Sequence, residues 1–151
     1  MPAGAGRPAD AVIGMDVSFT AEAALSLEQF LGVLRASGLA QRRPVNDPGC
    51  MQQMLSNAGL IVSAWKDRRL IGVARSLTDF AYCCYLSDLA VAREFQGLGV
   101  GRGLLRATRS HLGPRCKLIL LAAPAASSFY EHLGFERHAD AWILAADRAI
   151  V

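Results

Sequence analysis

The stretch Asp88–Leu112, DLAVAREFQGLGVGRGLLRATRSHL, decides how the chain is read. Asp88-Leu89-Ala90-Val91 closes an apolar run that begins near Tyr82, which predicts a strand end. Gly97, Gly99, Gly101 and Gly103 then alternate with larger residues. Leu104, Leu105, Thr108 and Leu112 recur at helical spacing, while Arg102, Arg106 and Arg109 fall on another side. A strand feeding a glycine-rich turn at a helix N-terminus suits a phosphate. Glycine lets the backbone approach an anion closely, several N–H groups can converge, and the helix dipole favours negative charge.

Three glycine loops can be compared with it. The nucleotide P-loop needs Gly-Lys-Ser/Thr after its glycines, and Gly101 is followed by Arg102-Gly103. The dinucleotide loop needs glycine at the first, third and sixth places. The sixth place from Gly97 is Arg102, and from Gly99 it is Leu104. What remains is Gln96-x-x-Gly99-x-Gly101, one step after Leu89-Ala90-Val91. This resembles the pyrophosphate loop of the GNAT superfamily of acyl-coenzyme A N-acyltransferases. A second piece, Ala126-Ser127-Ser128-Phe129-Tyr130-Glu131-His132-Leu133-Gly134-Phe135, looks like that family's A-x-x-F-Y-x-x-x-G-F segment. The resemblance runs loosely from Leu60 to Leu144.

The resemblance implies an α/β fold. Its centre is a mixed, mostly antiparallel sheet of about six to seven strands with about four helices and a splayed gap between strands 4 and 5. It implies acetyl-coenzyme A as acetyl donor and a primary amine of a small molecule or peptide as acceptor, in a ternary complex. The implied cofactor contacts are the main chain of Leu89, Ala90 and Val91, then Gln96, Gly97, Leu98, Gly99, Val100, Gly101 and Arg102, and finally Ser127 and Tyr130. Tyr130 is implied to be the general acid, and an unperturbed phenol, with a pKa near ~10, is protonated at neutral pH. The position seven residues before the tyrosine, often asparagine in the family, is Ala123 here. The first two helices and their connection are implied to shape the acceptor pocket.

Amide formation also needs a neutral amine. Asp88, expected to be half-buried near the reaction centre, is either the general base or a hydrogen-bond partner of nearby main chain. Asp79 and Glu94 are the runners-up, and a water chain could serve instead. In the connection between the first helices, Arg42 and Arg43 either attract a carboxylate-bearing amine or form a solvated loop, the plainer reading. His111, His132 and His138 follow no ligand spacing and read as surface or packing residues. The competing function is a non-catalytic acyl-coenzyme A-binding or sensing module.

Length and composition fit one packed domain. The chain has 151 residues, 52% hydrophobic and 19% charged, which argues against disorder. No apolar run approaches the ~20 residues of a membrane span. The net charge of +3 is mild. The arginine cluster lacks interleaved aromatics, so no nucleic-acid partner is expected. Cys50, Cys83, Cys84 and Cys116 form no C-x-x-C pair, so no metal site is expected, and free thiols fit a reducing cytoplasm. Residues 1–10 are expected to be disordered, followed by a single domain over 11–151. A homodimer is possible, as is common in the family.

In chain order, the pattern predicts a first strand over Ala11–Phe19 and a helix opened by the capping box Ser26-Leu27-Glu28-Gln29 and stopped by Gly38. A short helix capped by Asp47-Pro48 follows. Strands are predicted over Leu60–Trp65, Leu70–Ser76 and Tyr82–Val91. After the central helix come a strand over Lys117–Ala122, buried on both faces, a helix over Ala125–Leu133 and a last strand over Trp142–Ala145.

Overall fold

The structure, a computed structural model, describes residues 15–151. The expected disordered segment, and the first strand from Ala11 to Gly14, lie outside the described residues. The chain divides into two compact units, one ending at Leu121 and one spanning Ala122–Val151.

The first unit contains β1 (Ser18–Thr20), α1 (Leu27–Ser37), α2 (Pro48–Ser56), β2 (Leu60–Lys66), β3 (Arg69–Thr78), β4 (Cys83–Val91), α3 (Val100–Ser110) and β5 (Lys117–Ile119). Both expected caps form. Ser26 Oγ accepts from Gln29 N while Gln29 Oε1 accepts from Ser26 N, and Gly38 ends α1 in the left-handed region at φ 87°. Asp47 Oδ1 accepts from Cys50 N at the start of α2.

The five strands among the described residues lie in sequence order. All neighbours pair antiparallel except β4 and β5, which pair parallel. Among the described residues the sheet therefore has fewer strands than the six to seven expected. α1 packs on β3 and β4 through Phe30, Val33 and Leu34, which join Met51, Leu55, Val73 and Ala90 in one buried cluster. α3 packs against β1 through β4 and buries Val100, Leu104, Leu105 and Thr108.

Close packing explains Gly103. A Cβ there would lie 2.2 Å from Phe19 Cζ, so β1 meets α3 with no room for a methyl group. Gly103→Ala should cost roughly 1–3 kcal/mol by forcing the ring aside. Chemical denaturation checks this, and Phe19→Leu in the same chain should recover part of the loss.

β5 is shorter and more exposed than expected. It spans only Lys117–Ile119, and Ile119 is 49% exposed. Its one partner among the described residues is β4, so it is an edge strand, not one buried on both faces.

The second unit carries a 3-10 turn, Pro124–Ala126, then α4 (Ser127–His132) and a loop turned by Gly134 at φ 88°. The expected helix over Ala125–Leu133 is thus shortened at both ends. The expected strand over Trp142–Ala145 does not form. No described strand offers it a ladder, and Trp142 is 91% exposed.

Candidate functional site

The site begins with an unmatched strand edge. β4 meets β5 only at Cys83–Tyr85, opposite Lys117–Ile119. From Leu86 to Val91, β4 has β3 on one side and no strand among the described residues on the other. The expected gap between strands 4 and 5 is this divergence.

Which main-chain groups face the gap follows from the ladder. Ala92 N donates to Ile71 O at 2.8 Å. Antiparallel pairs alternate between bonded and non-bonded, so the Ala90–Val73 pair is bonded and its main chain is used by β3. Leu89 and Val91, opposite Ala74 and Gly72, turn their N–H and C=O groups to the open edge. Ala90 is therefore removed from the expected main-chain contacts. Val91 O already accepts from Gln96 Nε2 at 2.8 Å, which ties the loop to the strand end.

The loop that follows is short of acceptors. The N–H groups of Gly97, Leu98, Gly99, Val100, Gly101 and Arg102 donate to no described backbone carbonyl, and the first bond of α3 is Gly103 N to Gly99 O at 3.0 Å. The N–H of Gln96 is spent on Arg93 O at 3.2 Å, so the unpaired run starts one residue later than expected. Gly97 at φ 75° and Gly99 at φ 94° are left-handed, a conformation that turns successive N–H groups to one concave side. Their outward faces are open, with nothing within 4 Å of an added Cβ.

The arginines divide by role. Arg102, in the first turn of α3, is exposed and has no described ion-pair partner. Arg106 is exposed one turn later. Arg109 instead donates through Nη1 to Cys116 O at 2.8 Å and holds the turn after α3. The sequence cluster is therefore only partly available to an anion.

Asp88 is not half-buried but fully buried. Its Oδ1 accepts from Arg43 Nε at 2.5 Å and its Oδ2 accepts from Arg75 Nε. Both arginines also grip Ser87. Arg43 Nη2 donates to Ser87 O at 2.7 Å, and Arg75 Nη2 donates to Ser87 Oγ at 2.8 Å. Ser87 is the extra residue of a bulge, since Arg75 faces Asp88 while Ser76 faces Leu86. Of the two readings open for Arg43, an anion-attracting residue or part of a solvated loop, the structure does not support the solvated loop. Arg43 is a half-buried clamp on β4, while Arg75 carried no local sequence signal.

The other two carboxylates are also committed. Asp79 Oδ1 accepts from Tyr82 N, Ala81 N and Cys83 N, and these bonds, Tyr82 foremost, lower its pKa below the ordinary carboxylate value. Glu94 pairs with Arg69. Both carboxylates are thus engaged in structural contacts.

In the second unit, Tyr130 stacks edge-on between Phe129 and Phe135, with ring centroids 5.2 and 5.5 Å away. Its burial raises the phenol pKa above the ordinary value. Ser127 opens α4 and Ala123 opens the turn before it. His132 Nδ1 lies 2.5 Å from Ser128 O, within its own helix. His111 Nδ1 lies 2.8 Å from Ala107 O, and His138 Nδ1 accepts from Asp140 N. All three histidines have local structural contacts.

Comparison with known proteins bears on the family and the fold. The acetyltransferase (GNAT) domain family matches residues 32–143. The chain is 31% identical over 117 residues to an uncharacterized N-acetyltransferase, ycf52-like, of Prochlorococcus marinus, covering 74% of this chain and 61% of that one. It is 28% identical over 113 residues to the chloroplastic GCN5-related N-acetyltransferase 1 of Arabidopsis thaliana, covering 74% and 56%. The chain thus spans little more than half the length of these curated relatives. The fold superposes with a TM-score of 0.69, at 20% identity, on a Staphylococcus aureus protein of unknown function described as a probable acetyltransferase, covering 88% of this chain and 100% of that one. A β4 edge left open beyond Tyr85, followed by a run of unpaired N–H groups, stands on a chain most of which matches one family, and the protein belongs to the GNAT acetyltransferases.

Proposed function

We propose that the protein is an N-acetyltransferase that moves an acetyl group from acetyl-coenzyme A to a primary amine by direct attack. The observation that carries this reading is the run of unpaired N–H groups from Gly97 to Arg102 at the end of an open strand edge. A diphosphate is the anion such a concave run fits, and the open N–H and C=O of Leu89 with the N–H of Val91 suit an amide-bearing arm laid along β4. The residues present therefore fit the cofactor. Acetyl-coenzyme A supplies the acetyl group as a thioester, so the amide N–C bond forms as the C–S bond breaks.

The chain's own groups do the rest. Gly97 through Arg102 hold the pyrophosphate through N–H groups, with the Arg102 side chain adding charge, and Ser127 is a further contact. A main-chain N–H of the β4 edge donates to the carbonyl oxygen as negative charge develops there. Tyr130 Oη gives its proton to the departing sulfur. Asp88, with both oxygens bound by guanidinium groups, holds the β4 bulge in place. Water removes the proton from the amine.

Thermal unfolding with and without acetyl-coenzyme A, followed by thiol release against amines, tests this. A ligand at 100 times its Kd stabilises by roughly 2.7 kcal/mol. A melting shift with thiol release is expected. A shift without release on any amine would leave only a binding module, and no shift would overturn the site.

Tyr130→Phe should lower kcat about a hundredfold with cofactor affinity unchanged. The sign of the pH effect follows from burial. A raised phenol pKa favours the protonated form, so the donor is lost only as pH rises through that value. Wild-type activity should show no Tyr130-dependent decline below about pH 10. Equal kcat in the two proteins would remove Tyr130 from the mechanism.

A further inference from the structure

The charges around the β4 bulge do not balance. Asp88 is a single carboxylate bound by two guanidinium groups, Arg43 and Arg75. Arg42, adjacent and exposed, pairs with no described acid, and its carbonyl oxygen accepts from Arg43 Nη1 at 2.8 Å. Among the described residues no second acid pairs with any of the three. An excess positive charge is thus fixed in a partly desolvated place, where a counter-charge is worth more than at the open surface.

The two clamping arginines differ in access. Arg75 has only 5% of its side chain exposed and spends its three nitrogens on Asp88, Met54 O and Ser87 Oγ. Arg43 retains 22% exposure. A guanidinium carries five N–H donors in a planar fork, and Arg43 uses three of them, on Asp88 Oδ1, Ser87 O and Arg42 O. Two remain for an incoming acceptor. The site is separate from the loop at Gly97–Arg102, because it lies before Leu89 on the strand while the loop lies beyond Val91. One residue of strand, about 3.3 Å, separates Asp88 from Leu89, whose main chain opens to the gap.

We propose that Arg43, backed by Arg75, forms an anion subsite that selects acceptor amines carrying their own carboxylate, as a free amino acid does. This rests on the acetyltransferase reading and names the substrate class of that same site. The carboxylate neutralises the excess charge and takes up the spare donors of Arg43. Asp88 keeps the guanidinium pointed, and the bulge at Ser87 fixes its height along β4. A neutral or dicationic amine leaves the excess charge unanswered.

The test compares amines that differ only in that charge, such as lysine against lysinamide and tyrosine against tyrosinamide. Thiol release is measured at saturating acetyl-coenzyme A, with rates expressed per concentration of neutral amine because the amide lowers amine basicity. A carboxylate preference of at least about tenfold in kcat/KM is expected, the size of one charge-assisted hydrogen bond. Arg43→Gln should bring the ratio near one while the melting shift with acetyl-coenzyme A persists. Loss of a purely structural clamp would instead depress both members of a pair alike. Arg43→Lys keeps the charge but loses the fork, and serves if the glutamine variant does not fold; its ratio should fall between the two. Equal or faster turnover of the amides by the wild type overturns the proposal, as does a ratio unchanged in either variant. A melting shift without thiol release from any amine overturns it together with the transfer reading, whereas release from amides alone overturns only the subsite.

Discussion

Asp88→Ala should lose about 3–5 kcal/mol of folding stability, the cost of stranding a buried charge when its partner is removed. For a domain of this size that is a fall in melting temperature on the order of 10 °C. The size of the effect comes from the environment of Asp88. It is fully buried, and it is the only described acid that faces Arg43 and Arg75. Removing it leaves Arg75, with 5% of its side chain exposed, without its charge partner. Asp88→Asn should recover little, because an amide keeps one acceptor but no charge. The double variant Asp88→Leu with Arg75→Met should lie closer to the wild type than Asp88→Ala alone, since replacing a buried pair by apolar groups is far cheaper than breaking it. Guanidinium unfolding of the four proteins measures this. A loss under about 1 kcal/mol for Asp88→Ala would mean that the arginines find water instead. That would remove both the clamp and the charge argument built on it.

The clamp also shows where the sequence stops being informative. Local signals were read correctly where one element contains the whole cause. The Ser26–Gln29 box, the Asp47 cap, the Gly38 stop and the glycine turn that opens α3 each involve residues within a few positions. The clamp joins residues 45 and 13 positions apart, and it depends on a bulge that changes which face a residue takes. Cys84, Leu86, Asp88 and Ala90 are all buried at a spacing of two, which reads as one face of one strand. Because Ser87 is an extra residue, Leu86 shares the face of Ser76 and Asp88 shares the face of Arg75, on opposite sides of the sheet. The alternation is intact, yet its meaning reverses halfway. The missing strand at Trp142–Ala145 has a different cause. Its apolar run was visible, but a strand is made by its partner, and no sequence pattern supplies one.

Gly99→Val should abolish measurable binding of coenzyme A while the fold survives. The two effects separate because of what surrounds Gly99. An added side chain would meet nothing within 4 Å, so no core contact is disturbed. The strain is in the backbone, where φ is 94° and a β-branched residue pays at least about 1–2 kcal/mol to remain. Relief of that strain rotates the peptide planes on either side, and the N–H groups of Leu98 through Gly101 no longer converge. Each hydrogen bond to a charged oxygen is worth roughly 1.5–3 kcal/mol. Losing two of them lowers affinity by a factor on the order of 10²–10⁴. Gly99→Asn supplies the control, since asparagine enters the left-handed region far more readily than valine. It should retain much of the affinity despite a larger polar side chain. Leu98→Ala should bind like the wild type, because the proposed contact at that position is a main-chain N–H. Calorimetric titration with coenzyme A, on proteins whose melting is first shown to be cooperative, ranks the three. If valine and asparagine bound equally well, the left-handed turn would not be the source of the site. The anion would then have to be held by side chains such as Arg102.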